Sequence, residues 1–193
     1  MPVISIRVRA ALAAGLLLCL VAPATAGATM VAVPSSYQDY ITMQAQQKNQ
    51  WCWAGSGNTI AEYHGVGLTQ TRFCQLAHNE SGQDCANLPG TLADPQRAFA
   101  RLGFASPGTY LNSRVPYAAI QTQTASNRPI ETRIGWRSGG GHMHVIYGYD
   151  TSGDWVYWAD PLPANSRYNW STYGYYTQNS SFTWTHTLTG ISR

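Results

Sequence analysis

The chain has 193 residues, of which only 11% are charged, and a formal net charge of +3. That length supports one domain with a sizeable core, and so small a balance leaves no basic field to recruit nucleic acid or an anionic membrane. Lys48 is the sole lysine, whereas Tyr and Trp number 12 and 7, so solvation of the surface falls to Ser, Thr, Asn, Gln and Tyr.

In chain order, Arg7 and Arg9 form a basic stub, Ala10 to Ala22 an apolar run, and Ala24-Thr25-Ala26 a small-residue end. Charged, apolar, small is the order of a secretory signal peptide, and an apolar run of about 13 residues falls short of the roughly 20 that span a bilayer. The expected domains are a signal peptide over 1–26 and one mature domain over 27–193, exported to an extracellular or periplasmic compartment. Loss of Arg7 and Arg9 lowers the net charge from +3 to +1.

Cys19 would leave with the signal peptide, so the mature chain keeps Cys52, Cys74 and Cys85. In an oxidising compartment two of three can pair. Cys74 and Cys85 bracket a short polar loop with Asn79, Ser81, Gly82 and Asp84, and are the natural pair, worth about 2–3 kcal/mol. Cys52 is left as a free thiol, which points at it as a used one.

After an extended small-residue leader over 27–36, a helix is expected from Trp51 or Cys52 to a stop at Gly65. Shorter ones follow over Thr71–His78, over Asp94 (N-cap) and Pro95 to Gly103, and over Val115–Ala125. From Ile130 the period changes to two. Strands are expected over Ile130–Trp136, Met143–Tyr149, Trp155–Ala159 and around Phe182–Leu188, with a turn at Thr151-Ser152-Gly153. Helices first and antiparallel strands afterwards predict an α+β fold of two halves divided near residue 126, with a site in the cleft where they meet.

Three segments carry candidate chemistry. Cys52 opens the first long helix, where unsatisfied N–H groups and the positive end of the helix dipole favour thiolate, the nucleophilic form. Taken alone, Cys52 is equally readable as an inert core residue between Trp51 and Trp53. Gly139-Gly140-Gly141 opens a strand whose His142 and His144 share one face, so both are candidate bases; the first residue of a strand reaches a cleft more readily than the third. Asp160, in Trp158-Ala159-Asp160-Pro161, would hold the imidazole tautomer and stabilise the imidazolium, or else start a turn.

Gln46 through Ala54, ending in Trp-Cys-Trp-Ala, resembles the nucleophile motif of papain-like cysteine peptidases, particularly short secreted bacterial ones. Gly141 to Tyr149 is similar to the histidine strand of that class, in which a glycine follows six residues after the histidine; Gly148 fits His142. Asp160-Pro161 resembles the third site of the bacterial branch, where plant papains use asparagine. The resemblance implies a two-lobed papain-like fold with a helical N-terminal half and an antiparallel β half. It also implies peptide hydrolysis through a thioester on Cys52, with His142 as base, Asp160 orienting it and Gln46 donating to the oxyanion. Asn49 stands where papain has a cysteine, so that disulfide is absent, and the mature domain is shorter than papain's.

The chemistry requires no metal or organic cofactor, and the expected partner is a protein or peptide substrate acted on by a monomer, without nucleic acid or membrane. Two alternatives stay open. The same trio serves a cell-wall amidase or transpeptidase. A non-enzymatic module is the other: Tyr168, Trp170, Tyr173, Tyr175, Tyr176 and Trp184 would form a binding face, or fill a small β-barrel core, while His142 and His144 would need a third ligand to hold zinc.

Overall fold

Twelve residues of α1 (Cys52–Tyr63) form the first long helix, and nine in a row, Trp53 to Ala61, are buried. A helix covered on nearly every side needs no amphipathic stripe, and here Ala54, Gly55, Ser56 and Gly57 let neighbours approach closely. It ends as the sequence predicts. Gly65 adopts φ 78°, its N–H bonds Glu62 O (2.8 Å) and that of Val66 bonds Ala61 O (2.9 Å), which together satisfy carbonyls the last turn leaves open. α2 (Gln70–His78) is capped by Thr69 Oγ1, which accepts from Arg72 N.

The computed structural model describes residues 32–193. The expected signal peptide over 1–26 and the start of the leader lie outside the described residues. Within them the chain continues through β1 (Ser36–Gln38), α1, α2, α3 (Ala93–Arg101), β2 (Ser106–Leu111), α4 (Tyr117–Thr124), β3 (Ile130–Trp136), β4 (Gly141–Asp150), β5 (Trp155–Ala159), β6 (Tyr168–Thr172), α5 (Tyr173–Thr177) and β7 (Phe182–Ser192). All strand pairings are antiparallel, in the order β2-β7-β3-β4-β5-β6. β1 pairs with Gly148–Asp150 of β4, beyond the stretch that β3 occupies.

The two faces of the sheet bury different clusters, as side-chain alternation requires. Met143, Val145, Leu188 and Ile191 join the core of α1, α2 and α3. Ile130, Ile134, Ile146, Val156 and Trp184 join Ile120 of α4 and Tyr176 of α5. β4, covered on both faces, is almost wholly buried.

Several expectations need correction. The division near residue 126 is crossed by β1, β2 and α4, the last of which packs on β3 and β4. β2 was not among the expected strands, since Pro107 and Gly108 disfavour one; it lies at the edge of the sheet, paired with β7 alone, where a proline is tolerated. Asp94 is not the N-cap of α3, which starts at Ala93 after Leu92; its carboxylate accepts instead from Thr91 N (2.7 Å) and Oγ1 (3.0 Å). The sheet is open rather than a barrel, with β2 and β6 at its ends. Of the tail aromatics, Tyr176 and Trp184 are core, whereas Tyr168, Trp170 and Tyr175 are exposed.

Candidate active site

Cys52 is the first residue of α1, so its backbone N–H belongs to the set an α-helix leaves without an internal partner. Trp51 and Trp53 on either side are fully buried, but Cys52 itself is half-exposed and unpaired. Both indoles are anchored by one segment, Trp51 Nε1 to Ala86 O (3.0 Å) and Trp53 Nε1 to Leu88 O (3.2 Å). Gln50 N donates to Asn87 Oδ1 (3.1 Å) and Lys48 Nζ to Cys85 O (2.6 Å). That strap is tied to α2 by the Cys74–Cys85 disulfide, as the cysteine count predicts. The cleft beside Cys52 runs between this strap (Pro89, Gly90), the Gln46–Gln50 segment, the start of β4 and Leu162.

His142 and His144 lie on one face of β4, and the chain turns so that both meet Asp160. His142 Nε2 is 2.6 Å from Asp160 Oδ1, and His144 Nε2 is 3.5 Å from Oδ2. The two rings differ in what lies on their other edge. His142 lines the cleft with Cys52, and burial, which pulls its pKa down, is outweighed by hydrogen bonding and charge from Asp160 and Cys52; the result is pushed up to about 9. His144 faces inward: its Nδ1 is 3.3 Å from Tyr176 Oη, which is 2.7 Å from Thr132 Oγ1. Burial, reinforced by the charge of His142, lowers the His144 pKa despite Asp160. One histidine is a cation in the cleft and the other a neutral buried ring. The indole of Trp136 stacks on His142 at 6.1 Å, 19° from parallel.

Asp160 is 4% exposed, yet its carboxylate is saturated with donors. Besides the histidines, Leu162 N reaches Oδ1 (2.8 Å) and Asn165 Nδ2 reaches Oδ2 (2.8 Å). Burial alone would raise its pKa, but the bonds to His142 and His144 win and hold it well below the usual carboxylate range. Gln46 N donates to Pro161 O (2.8 Å), tying the segment before the cysteine to the segment after the aspartate. Gly55 makes that tie possible: a Cβ there would come within 3.1 Å of Pro161 Cβ and 3.4 Å of Gln46 Cα. Gln46 Nε2 gives one N–H to Lys48 O (3.0 Å) and carries a second.

Four candidates from distant parts of the chain, Gln46, Cys52, His142 and Asp160, thus surround or back one cleft. A family model described as papain-like cysteine protease AvrRpt2 matches residues 34–180, a span that includes all four. The chain belongs to that family. This papain-like cysteine peptidase is also similar in structure to xylellain, a cysteine protease from Xylella fastidiosa. The TM-score is 0.58 at 10% identity, over 84% of this chain and 88% of that one. No curated protein sequence matches it.

Among the described residues of the peptidase, two groups bring three ligand-type side chains within 4.8 Å of one another. In Cys74–His78–Cys85 the sulfurs are joined to each other. In His142–His144–Asp160 the third ligand that the sequence did not offer is present. Even so, His142 Nε2 and Asp160 Oδ1 stand 2.6 Å apart in a direct hydrogen bond, closer than the roughly 3.3 Å separating two ligands around a tetrahedral zinc with bonds near 2 Å. The site is set as a hydrogen-bonded pair.

Sequence reasoning missed the second layer. Asn165, Leu162 N–H, Trp136, Gly55 and the 86–90 strap act through contacts with no motif or spacing to announce them. Only Asn165, five residues beyond Asp160 in a turn-rich stretch, left a local signal.

Proposed function

We propose that the peptidase hydrolyses peptide bonds through a thioester on Cys52, with His142 as general base and acid, Asp160 as its orienter and Gln46 as an oxyanion donor. The observation that carries this is the two-sided setting of His142, which bonds Asp160 through Nε2 and has Cys52 as its neighbour in the cleft. Cys52 and His142 react as a thiolate–imidazolium pair. The thiolate attacks the carbonyl carbon. The oxyanion is received by the Cys52 N–H and the second N–H of Gln46 Nε2, an arrangement in which losing one donor costs about 10²–10³ in rate. His142 protonates the departing amine, then takes a proton from the water that cleaves the thioester. Leaving amine and acid are the products, and Cys52 is returned.

Asp160 fixes which imidazole nitrogen faces the thiol. Oδ1 accepts the Nε2 proton, so Nδ1 carries the proton that moves. His144, neutral and turned toward Tyr176, is unsuited to be the base and serves as packing behind Asp160. Export rests on the charged, apolar and small order of residues 1–26, and a disulfide suits the oxidising compartment such export reaches.

The test is the rate at which iodoacetamide alkylates Cys52 between pH 4 and 9, in wild type, His142→Ala and His144→Ala, beside turnover of quenched-fluorescent peptides. Fast labelling below about pH 7, under the ordinary free-thiol range near 8.5, should vanish in His142→Ala and survive in His144→Ala. Loss with His144→Ala alone would move the base to His144. A fast thiolate without any peptide turnover would favour an amidase or transpeptidase using the same trio.

A further inference from the structure

The wall of the cleft holds one permanent cation, and none of the described residues gives it an anion. Arg133, half-buried on β3, lines the cleft beside Cys52 and His142, and no acidic residue lines it. Its guanidinium makes a single hydrogen bond to protein, Nη1 to Thr185 Oγ1 at 3.1 Å, and no ion pair among the described residues. The acids that pair are engaged elsewhere: Asp84 by Lys48, Glu80 by His78, Asp94 by Arg97 and His78, Asp160 by the histidines. Glu131 lies two residues along the same strand but does not bond it, and both its oxygens lack a donor among the described residues.

Arg133 is nevertheless held in place. Thr185 Oγ1 accepts from Nη1 and donates to the Arg133 carbonyl (3.0 Å), and His186 Nδ1 supports the same hydroxyl at 2.8 Å. The guanidinium lies across Gly141, the residue before His142: a Cβ at Gly141 would come 2.5 Å from Arg133 Nη2. The third glycine of the Gly-Gly-Gly-His run is therefore where the cation reaches the cleft. Of five guanidinium N–H groups, four are left for something else, in a planar fork that matches a carboxylate.

We propose that Arg133 is the specificity-determining residue of the cleft and binds a carboxylate of the substrate, an acidic side chain near the scissile bond. The inference deepens the peptidase function proposed above and rests on it. A charge presented from a rigid strand rather than a loop selects by position as well as by sign, so the preference falls at one substrate position.

The experiment maps cleavage sites in a denatured-protein digest by wild type, then compares kcat/KM for peptide sets carrying Asp, Asn or Lys at each position around the preferred bond. Each set is made with free and amidated C-termini, and is run with wild type, Arg133→Lys, Arg133→Gln and Arg133→Glu. Wild type should favour Asp over Asn at one position by at least about tenfold. Arg133→Lys should keep the sign of that preference, Arg133→Gln should remove it, and Arg133→Glu should reverse it toward Lys. A preference that follows the free C-terminus instead would assign Arg133 to the terminal carboxylate. Cleavage by wild type with no charge preference at any position would overturn the proposal even if the variants do not fold, while leaving the peptidase function standing. If wild type cleaves no peptide of any charge, both fall together.

Discussion

Asp160 and Glu131 are both buried carboxyls in this peptidase, and they have opposite fates. Asp160 stands at the end of β5 with two histidines, a backbone N–H and an amide converging on it. Glu131 points from β3 into the apolar core, fully buried, opposite Val145 and Leu188 in the ladder. Burial raises its pKa well above the usual range, and the negative charges of Cys52 and Asp94 push the same way. Two carboxyls withdrawn from water thus end as an anion at one site and a protonated acid at the other. Donors decide charge in a core, since withdrawal from water penalises every ion alike and only hydrogen bonds or opposite charge offset it.

The largest expected effect comes from breaking the saturated partner. Asp160→Ala should lower kcat/KM for a peptide by about 10²–10⁴-fold, the usual contribution of a positioned acid–base pair. Asp160→Asn should lose less, because its carbonyl still accepts from His142 Nε2. Equal losses in the two would mean that charge, and not orientation, is what Asp160 supplies.

Next is the lone acid. Glu131→Met removes an unpartnered polar group from the core and should raise stability by about 1–3 kcal/mol at neutral pH, read as a higher unfolding temperature by calorimetry. A lower temperature would show that Glu131 has a partner its surroundings do not reveal.

The comparison also has a pH signature. The folded pKa of Asp160 is depressed, so its stabilisation is present above about 3.8 and lost as pH falls below. His142 is raised from 6.5 to about 9, so its share is full below 6.5 and gone once pH passes 9. Glu131 is raised, so stability falls as pH climbs above 4.5, the ordinary value of a glutamate. Urea titrations from pH 3 to 10 should therefore peak between the Asp160 and His142 limbs. Glu131→Gln should flatten the decline above pH 4.5 and keep the one between 6.5 and 9. Parallel curves for the two proteins would place an ionised Glu131 in the fold. The alkaline limb of kcat/KM should fall near pH 9 in both.

The smallest effect is behind the site. Tyr176→Phe removes the hydroxyl between His144 and Thr132 and should cost about 1 kcal/mol, with kcat/KM changed less than by either Asp160 variant. A loss of rate as large as that of Asp160→Ala would make His144 a positioning residue for Asp160 and not mere packing.

Much of this was legible beforehand because it is local. The opening of α1 at Cys52, its stop at Gly65, the alternation of β3 and the apolar run of β4 are each written within a few residues, as is the cysteine arithmetic that pairs Cys74 with Cys85. β2 and β6 were not, because Pro107, Gly108 and the polar Tyr168–Thr172 stretch become strands only through the neighbours they pair with. The choice between His142 and His144 was open for the residues alone, since a period of two puts both on one face. The family resemblance leaned on Gly148 to choose, and the fold supplies a physical difference between the rings.

By itself the sequence determined the kinds of chemistry available: one free thiol at a helix start, a glycine-opened histidine strand, an aspartate at a strand end and a single domain of α+β type. Tertiary structure alone decided which charges those groups carry. Asp160 is an anion, Glu131 an acid, His142 a cation and His144 neutral. Arg133 became the unpaired charge of the cleft. Identity and spacing specify a group's ordinary pKa, whereas its charge in the fold depends on desolvation and on donors brought from far along the chain.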